Sequence, residues 1–187
     1  MDLFLSLDAR QQSTAMAVDI EPGVIDFYHG ENTMDQAHAR MVQDGFWLAG
    51  SNMQLFPRVS KHTRTVLAGE GFDFMKLPGC PIAHEGTYLR TLASLAKRDH
   101  GLRDCVSLWV IALANKQLGF ALDVALAAER TFRGDDRAGL LRTHTVDLTR
   151  TYFSGQVPPA SLARRLVPKA LHPVAERMRS LLRGGRA

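Results

Sequence analysis

The chain has 187 residues and a formal net charge of +4, with 45% hydrophobic and 22% charged residues, which is typical of a globular protein with its own core. No apolar run reaches the roughly 18 to 20 residues that a membrane-spanning helix needs, and the start lacks the basic region and cleavage site of a signal peptide. The two cysteines, Cys80 and Cys105, exclude a disulfide framework and indicate a reducing cytoplasm.

The first 70 residues predict a β-rich extension. Short strands are predicted over 2–8, 15–20 and 24–28, and the last two pair as a hairpin across Glu21-Pro22-Gly23. A helix is predicted over 34–44, capped by Asn32 or Thr33 and stopped by Gly45. A weaker strand is predicted over 52–59.

Residues 71–135 predict a core of alternating strands and helices. The predicted elements are a strand over 72–77, a helix from Thr87 that stops at His100-Gly101, strands over 105–113 and 117–122 around the turn Asn115-Lys116, and a helix over 124–132 capped by Asp123. The apolar run 105–113 contains two Val, one Ile and one Trp, which is the composition of a strand buried on both faces.

Residues 136–187 predict a helical, basic region. Apolar residues recur through 137–153 at helical spacing, and two short helices follow Ser161 and Pro173. Residues 161–187 carry seven basic residues against one acidic residue, whereas residues 1–60 carry eight acidic and three basic ones. This asymmetry indicates a polyanionic partner or, equally well, a solvated face. We predict that Arg164, Arg165, Arg177 and Arg179 bind DNA.

The order of elements resembles the ParB/sulfiredoxin superfamily. The segments "LASLAKRDHGL", "SLWVIA", "NKQLGFAL" and "AAERTF" are similar in spacing to a helix ending in Gly-Leu, two strands and a charged strand-to-helix elbow. At the elbow this chain has Ala121-Leu122-Asp123-Val124-Ala125, where sulfiredoxins have Gly-Cys-His-Arg and ParB proteins have a Gly-Glu-Arg-Arg type box. The missing cysteine argues against a sulfinic-acid reductase. Within the superfamily, the chain resembles the fertility inhibition proteins of conjugative plasmids.

The resemblance implies an α+β fold: a ParB/sulfiredoxin-like mixed sheet over 71–135, an N-terminal β extension over 1–70 and a helical C-terminal appendage over 136–187. It also implies a function. Such a protein blocks conjugative, type IV secretion DNA transfer in the bacterial cytoplasm, by ATP hydrolysis and metal-dependent DNA cleavage. The expected partners are DNA, a nucleotide and conjugation components, and the expected cofactors are ATP and Mg²⁺.

The elbow carries the candidate chemistry. Phosphodiester hydrolysis needs cations that offset the phosphate charge and a carboxylate that holds Mg²⁺ or orients water. We predict Glu129, Arg133 and Asp123 as catalytic residues, with Glu129 and Asp123 as metal ligands. Four further residues are predicted to bind the nucleotide phosphates: Arg90, Arg103, Arg130 and Thr87. Glu129 and Arg133 are four residues apart and face one another on a helix, although a surface ion pair is the commoner meaning of that spacing.

Two other functions are consistent with the sequence. One is a non-catalytic DNA-binding module that masks transfer DNA through residues 161–187. The other is an interaction protein that blocks a secretion or coupling component through its acidic first 60 residues or an exposed apolar surface. Cys80 and His84 alone make a poor zinc site, because they have no partners at tight spacing.

Overall fold

The computed structural model describes residues 8–24 and 32–155. Over these residues the protein is α+β, as predicted, with seven helices and a three-stranded sheet. The predicted mixed sheet is wrong, because both strand pairs are antiparallel. Of the described residues, those up to Ile111 form one compact unit and those from Ala112 onwards form another, whereas the sequence predicted three regions. None of the described helices is long and apolar enough to cross a membrane.

The elements follow in chain order. The helices are α1 (Ala9–Thr14), α2 (Met34–Gln43), α3 (Lys61–Gly69), α4 (Leu92–Ala96), α5 (Leu102–Ala114), α6 (Leu118–Thr131) and α7 (Asp136–Phe153). The strands are β1 (Ala17–Ile20), β2 (Phe46–Phe56) and β3 (Cys80–Arg90), and a 3-10 helix covers Phe74–Lys76. β3 is the central strand, between β1 and β2.

β2 and β3 form a long ribbon in which Phe46 lies opposite Arg90 and Phe56 lies opposite Cys80. β1 pairs only with residues 86–89 of β3. The other end of the ribbon therefore extends past β1. There it leads into residues 57–79, which connect the two strands and which we call the insert.

One face of the sheet carries the core of the first unit. Met41 of α2 packs with Phe46 and Tyr88, and all three side chains are buried. The Tyr88 hydroxyl lies 3.2 Å from Nδ1 of His38. Burial raises the pKa of Tyr88 above its ordinary value, so this hydroxyl stays protonated at neutral pH.

The two strands predicted over 105–113 and 117–122 are wrong, since these residues lie in α5 and α6. The side chain of Asp104 accepts a hydrogen bond from the Gly101 backbone N–H at 2.9 Å, which stabilises the start of α5. In each helix the buried side chains recur at i, i+3, i+4 and i+7: Cys105, Leu108, Trp109 and Ala112 in α5, and Ala121, Val124, Ala125 and Ala128 in α6. That period is helical, and the flanking apolar residues of α5 conceal it in the sequence.

Two further predictions in the centre of the chain are also wrong. Residues 72–77 form no strand, and only Phe74–Lys76 are regular, as a 3-10 helix. The helix predicted from Thr87 begins only at Leu92, because Thr87 to Arg90 complete β3. Three consecutive residues, Tyr88 to Arg90, are buried, as expected for a central strand that is covered on both faces.

Three predictions at either side are confirmed, and the strand predicted over 52–59 is observed only in part, because the strand of the structure is Phe46–Phe56. The strand over 15–20 is observed as β1, the helix over 34–44 as α2 and the helix over 137–153 as α7. Gly45 adopts φ +82°, which favours glycine and ends α2. Three predictions concern parts of the chain that are not described, apart from Asp8 and Val24: the strand over 2–8, the hairpin partner over 24–28 and the helices after Ser161.

Candidate functional site

The two carboxylates predicted to hold Mg²⁺ both lie on α6, but the helix separates them. Asp123 and Glu129 are six residues apart, which corresponds to about 9 Å along the axis and roughly 240° around it. Their side chains therefore do not fit one Mg²⁺ ion. Across residues 8–24 and 32–155, no group of three or more His, Cys, Asp or Glu side chains is arranged to hold a metal.

Glu129 has a different partner from the one predicted. Its Oε2 lies 3.2 Å from Nε of Arg142 on α7, and both side chains are more than 40% exposed. α6 ends at Thr131, so Arg133 lies beyond the helix and the expected i, i+4 geometry is lost. The pair that does form is a surface ion pair, whose usual contribution to stability is below about 1 kcal/mol.

Arg90 is buried and is bound by the protein itself. Its Nε donates to the carbonyl of Ala15 at 2.6 Å and its Nη2 donates to the carbonyl of Gln12 at 2.8 Å. Its Nη1 donates to Oγ of Ser94 at 2.9 Å, and the guanidinium carbon lies 4.2 Å from the ring centre of Phe46. This arrangement ties α1 and α4 to the end of β3.

The electrostatic environment of Arg90 is unfavourable for a cation. Burial and the nearby charge of Arg98 lower the pKa of Arg90 to about 10, with a smaller opposing effect from Asp44. Arg90 is still protonated at neutral pH, so a buried positive charge remains in this part of the first unit.

The other three residues predicted to bind nucleotide phosphates lie on three different elements. Thr87 is half-buried in β3, three residues before Arg90 and therefore on the opposite face. Arg103 and Arg130 are exposed on α5 and α6. Phosphate binding by these four residues stays a prediction. The DNA-binding residues Arg164, Arg165, Arg177 and Arg179 lie outside the described part of the chain.

One pair of side chains has the geometry of a nucleophile and a base. Oγ of Ser51 lies 2.9 Å from Nε2 of His84, which is fully buried. In a catalytic pair of this kind, a third group on the other ring nitrogen stabilises the protonated histidine. Among the described residues, Nδ1 of His84 has no hydrogen-bond partner, so this third group is missing. We therefore assign Ser51 and His84 a structural role.

The cysteines are equally poor nucleophiles. Cys105 is buried at the start of α5, and burial, together with the charge of Asp104, raises the pKa of its thiol. The Cys80 thiol donates to the carbonyl of Phe56 at 3.5 Å. The raised pKa makes the Cys105 thiol a poor nucleophile, and the Cys80 thiol is bound by a backbone carbonyl.

The insert and the adjoining end of β2 expose apolar side chains that the core would normally bury. Six large apolar residues are between 40% and 65% exposed: Met53, Leu55, Val66, Phe72, Met75 and Leu77. Neither α3 nor the 3-10 helix buries any residue. We call these six side chains and the pocket beside them the insert surface.

The parts of the insert pack on one another. The Phe74 ring contacts Phe56 edge to face, with ring centres 6.1 Å apart, and the guanidinium of Arg64 lies 5.5 Å from the centre of the same ring. A pocket of about 410 Å³ opens between α3 and the 3-10 helix, and Leu67, Phe72, Phe74, Lys76 and Leu77 are among the residues that line it. A pocket of this size accepts a bulky side chain or small group.

The insert also carries exposed basic side chains. They are Arg58, Lys61, Arg64 and Lys76, against the acidic Glu70 and Asp73. The arrangement therefore suits a partner that offers apolar groups together with negative charge. Sequence reasoning missed this surface because it assigned 72–77 to a core strand, and only the lack of burial along α3 reveals it.

The comparisons with known proteins add no relative of known function. A scan of protein-family models gives no match for this chain, and searches of the curated proteins and of the solved structures give none either.

Proposed function

We propose that this chain is a non-catalytic binding protein that inhibits conjugative DNA transfer by blocking a protein component of the type IV secretion or conjugation machinery. The insert surface is the proposed binding site. Among the modes of action that are consistent with the sequence, binding to a partner protein is the one that the geometry supports best.

The observation that supports the proposal is the exposure of six large apolar side chains within residues 53–77. Monomeric soluble proteins rarely expose large contiguous apolar patches, and those they do expose commonly bind a partner. Aromatic and methionine side chains, such as Phe72 and Met75, are enriched at the centres of protein interfaces. The exposed basic side chains of the insert would favour an acidic partner.

The biological context comes from the resemblance to fertility inhibition proteins alone. The ParB/sulfiredoxin fold requires two strands in residues 105–122, but these residues form parts of two helices. The proposal therefore does not rely on that fold. Asp123 and Glu129 lie apart on their helix, and Glu129 pairs with Arg142. The proposal therefore does not rely on hydrolysis either.

A photo-crosslinking experiment tests the proposal. Benzoylphenylalanine replaces Phe72, which is 65% exposed, and the protein is irradiated in cells with and without a conjugative plasmid. We expect a crosslinked product only in plasmid-carrying cells, with mass spectrometry identifying a conjugation component. The matched control carries the same group at Val42, which is 52% exposed on α2 and outside the insert. The proposal fails if position 72 gives no plasmid-dependent product or if position 42 gives the same one.

The hydrolase prediction is tested separately with purified protein, ATP, Mg²⁺ and DNA. We expect no nucleotide turnover and no nicking. If the wild type is active and Glu129→Ala abolishes that activity without lowering the melting temperature, catalysis replaces binding as the account of this protein.

A further inference from the structure

The outer edge of β2 lacks the features that usually protect an edge strand. β2 lies at one side of the sheet, with β3 as its neighbour and no described strand beyond it. It covers 11 residues, and none of them is charged or a proline. Folded proteins commonly keep edge strands short or charged, because a free edge pairs readily with another chain. Residues 51–55 are exposed, so this part of the edge is open.

The hydrogen bonds of β3 show how its backbone groups are directed. The N–H of Arg90 donates to the carbonyl of Met16 and the N–H of His84 donates to the carbonyl of Pro22, both on the side of β1. Successive residues of a strand direct their backbone groups to opposite sides. The even-numbered residues of β3 therefore bond towards β1, and the odd-numbered residues bond towards β2.

This pattern identifies the groups of β2 that face outwards. Gly50, Asn52 and Gln54 lie opposite odd-numbered residues of β3, so their backbone groups bond to that strand. Ser51 and Met53 lie between them, and their N–H and carbonyl groups point to the open edge. No described backbone hydrogen bond outside the sheet involves either residue. The register shifts in the strand pair lie on either side of 50–54, so these five residues are regular.

A second copy of the chain offers a strand that matches this edge. In an antiparallel pair centred on Asn52, Ser51 of one copy lies opposite Met53 of the other, and the two residues exchange both backbone hydrogen bonds. Every outward group of 50–54 is then paired in both copies. No like charges of β2 oppose one another, because the strand is uncharged. The basic Arg58, which follows the strand, approaches the acidic Asp44, which precedes it in the other copy.

We propose that two copies of this protein pair antiparallel along the outer edge of β2 and form one continuous sheet with two-fold symmetry. Because the contact rests on one strand, we expect a dimer that dissociates on dilution rather than a permanent one. The pairing uses backbone groups of β2 and none of residues 57–79. It does not depend on the proposed function.

Cysteine crosslinking tests the register. Cys80 is replaced by alanine, which leaves the buried Cys105 as the remaining natural thiol. In the proposed dimer, Asn52→Cys faces its own copy in a pair without backbone hydrogen bonds, where the Cα atoms are about 4.5 Å apart, a distance that a disulfide spans. We expect mild oxidation to link most of this variant into dimers on a non-reducing gel.

Gln54→Cys is the matched control for the crosslink. Gln54 is exposed on the same face of β2 as Asn52, but it lies two residues from the two-fold axis. Its Cα atoms in the two copies are then about 14 Å apart along the strands, too far for a disulfide. We expect this variant to stay unlinked.

Analytical ultracentrifugation of the full chain tests the backbone contact. We expect the wild type to shift from the monomer mass of 20.7 kDa towards twice that mass as its concentration rises. Met53→Pro removes an outward N–H and leaves the bonds to β3 in place, since an edge strand tolerates proline there. We expect this variant to stay monomeric. Met53→Thr changes the same side chain but keeps the N–H, and it should form dimers as the wild type does.

Three results would overturn the proposal: a monomeric wild type, equal crosslinking of Asn52→Cys and Gln54→Cys, or a Met53→Pro variant that dimerises as Met53→Thr does. A monomeric wild type would leave the edge to a strand of another protein. If circular dichroism shows that Met53→Pro is unfolded, the two cysteine variants decide the question. None of these variants changes Phe72 or Met75, so the outcome leaves the proposed function untouched.

Discussion

At the scale of single residues, Arg90 is a structural side chain. Its guanidinium takes its acceptors from the backbone carbonyls of Gln12 and Ala15 and from Ser94, and it stacks on Phe46. Each of these contacts needs the planar, forked group, which a lysine does not have. The residue therefore holds three separate segments of the first unit together.

Arg90→Lys should destabilise the protein by about 2–4 kcal/mol, because hydrogen bonds to a buried cation are lost and its acceptors are left unpaired. Urea denaturation measures the change. Arg103→Lys is the control, since Arg103 is exposed on α5, and it should change stability by less than about 0.5 kcal/mol. Equal effects of the two substitutions would contradict the role of Arg90.

The Ser51 hydroxyl is the only hydrogen-bond partner described for the buried His84 ring. Ser51→Ala leaves both ring nitrogens of His84 unpaired and should cost about 1–3 kcal/mol in urea denaturation. The neighbouring Asn52→Ala should have little effect, because the Asn52 side chain is exposed. A neutral Ser51→Ala variant would show that His84 finds another partner.

At the scale of elements, the sequence predicts periodic helices well and fails where a continuous apolar run conceals the period. Residues 34–44 and 137–153 have a clear polar face, and both helices are observed. In α5, Val106, Val110 and Ile111 flank the buried stripe, so the apolar run 105–113 looks like a strand, whereas the helix extends over 13 residues. The predicted strand-to-helix elbow is wrong for the same reason, since Leu118–Thr131 form one helix.

The helix predicted from Thr87 failed for a different reason. Tyr88, Leu89 and Leu92 are compatible with helical spacing, but the first two belong to a strand buried on both faces, where no alternation is visible. β3 is central because it pairs with both β1 and β2. The local spacing of apolar residues does not show such long-range pairing. The exposure of the insert likewise follows from the tertiary fold.

Two glycine substitutions should have opposite effects. A Cβ at Gly86 would lie 2.7 Å from Cε1 of His84 and 2.9 Å from Cε2 of Tyr88, so Gly86→Ala should cost about 1–3 kcal/mol. A Cβ at Gly139 would approach Glu129 no closer than 4.0 Å, so Gly139→Ala within α7 should stabilise the protein by about 0.5–1 kcal/mol. Thermal or urea unfolding measures both; a Gly86→Ala variant as stable as the wild type would contradict the packing around Gly86, and a destabilised Gly139→Ala variant would contradict the free space at Gly139.

At the scale of the whole molecule, charge divides the chain. The acidic excess lies in residues 1–60, and the basic excess lies in residues 161–187. If the predicted contact between the arginine-rich end and DNA exists, binding should weaken steeply with salt, because phosphate contacts release counterions. Fluorescence anisotropy with labelled DNA measures this, and deletion of 161–187 should abolish the binding. Binding that survives the deletion would exclude Arg164, Arg165, Arg177 and Arg179 as the main contacts.

The two modes of action, partner binding and hydrolysis, depend on different residues. The insert surface lies within the first unit, whereas Glu129 lies on α6 in the second. Phe72→Ser with Met75→Ser removes two exposed apolar side chains and should leave the fold intact, because neither side chain is buried. Glu129→Ala removes the predicted catalytic carboxylate.

The most direct measurement is the frequency of plasmid transfer from donor cells that express each variant at equal level. We predict that the wild type, Glu129→Ala and the control Val42→Ser all suppress transfer, and that the Phe72→Ser, Met75→Ser double variant does not. Suppression that survives in the double variant and is lost in Glu129→Ala would contradict the account.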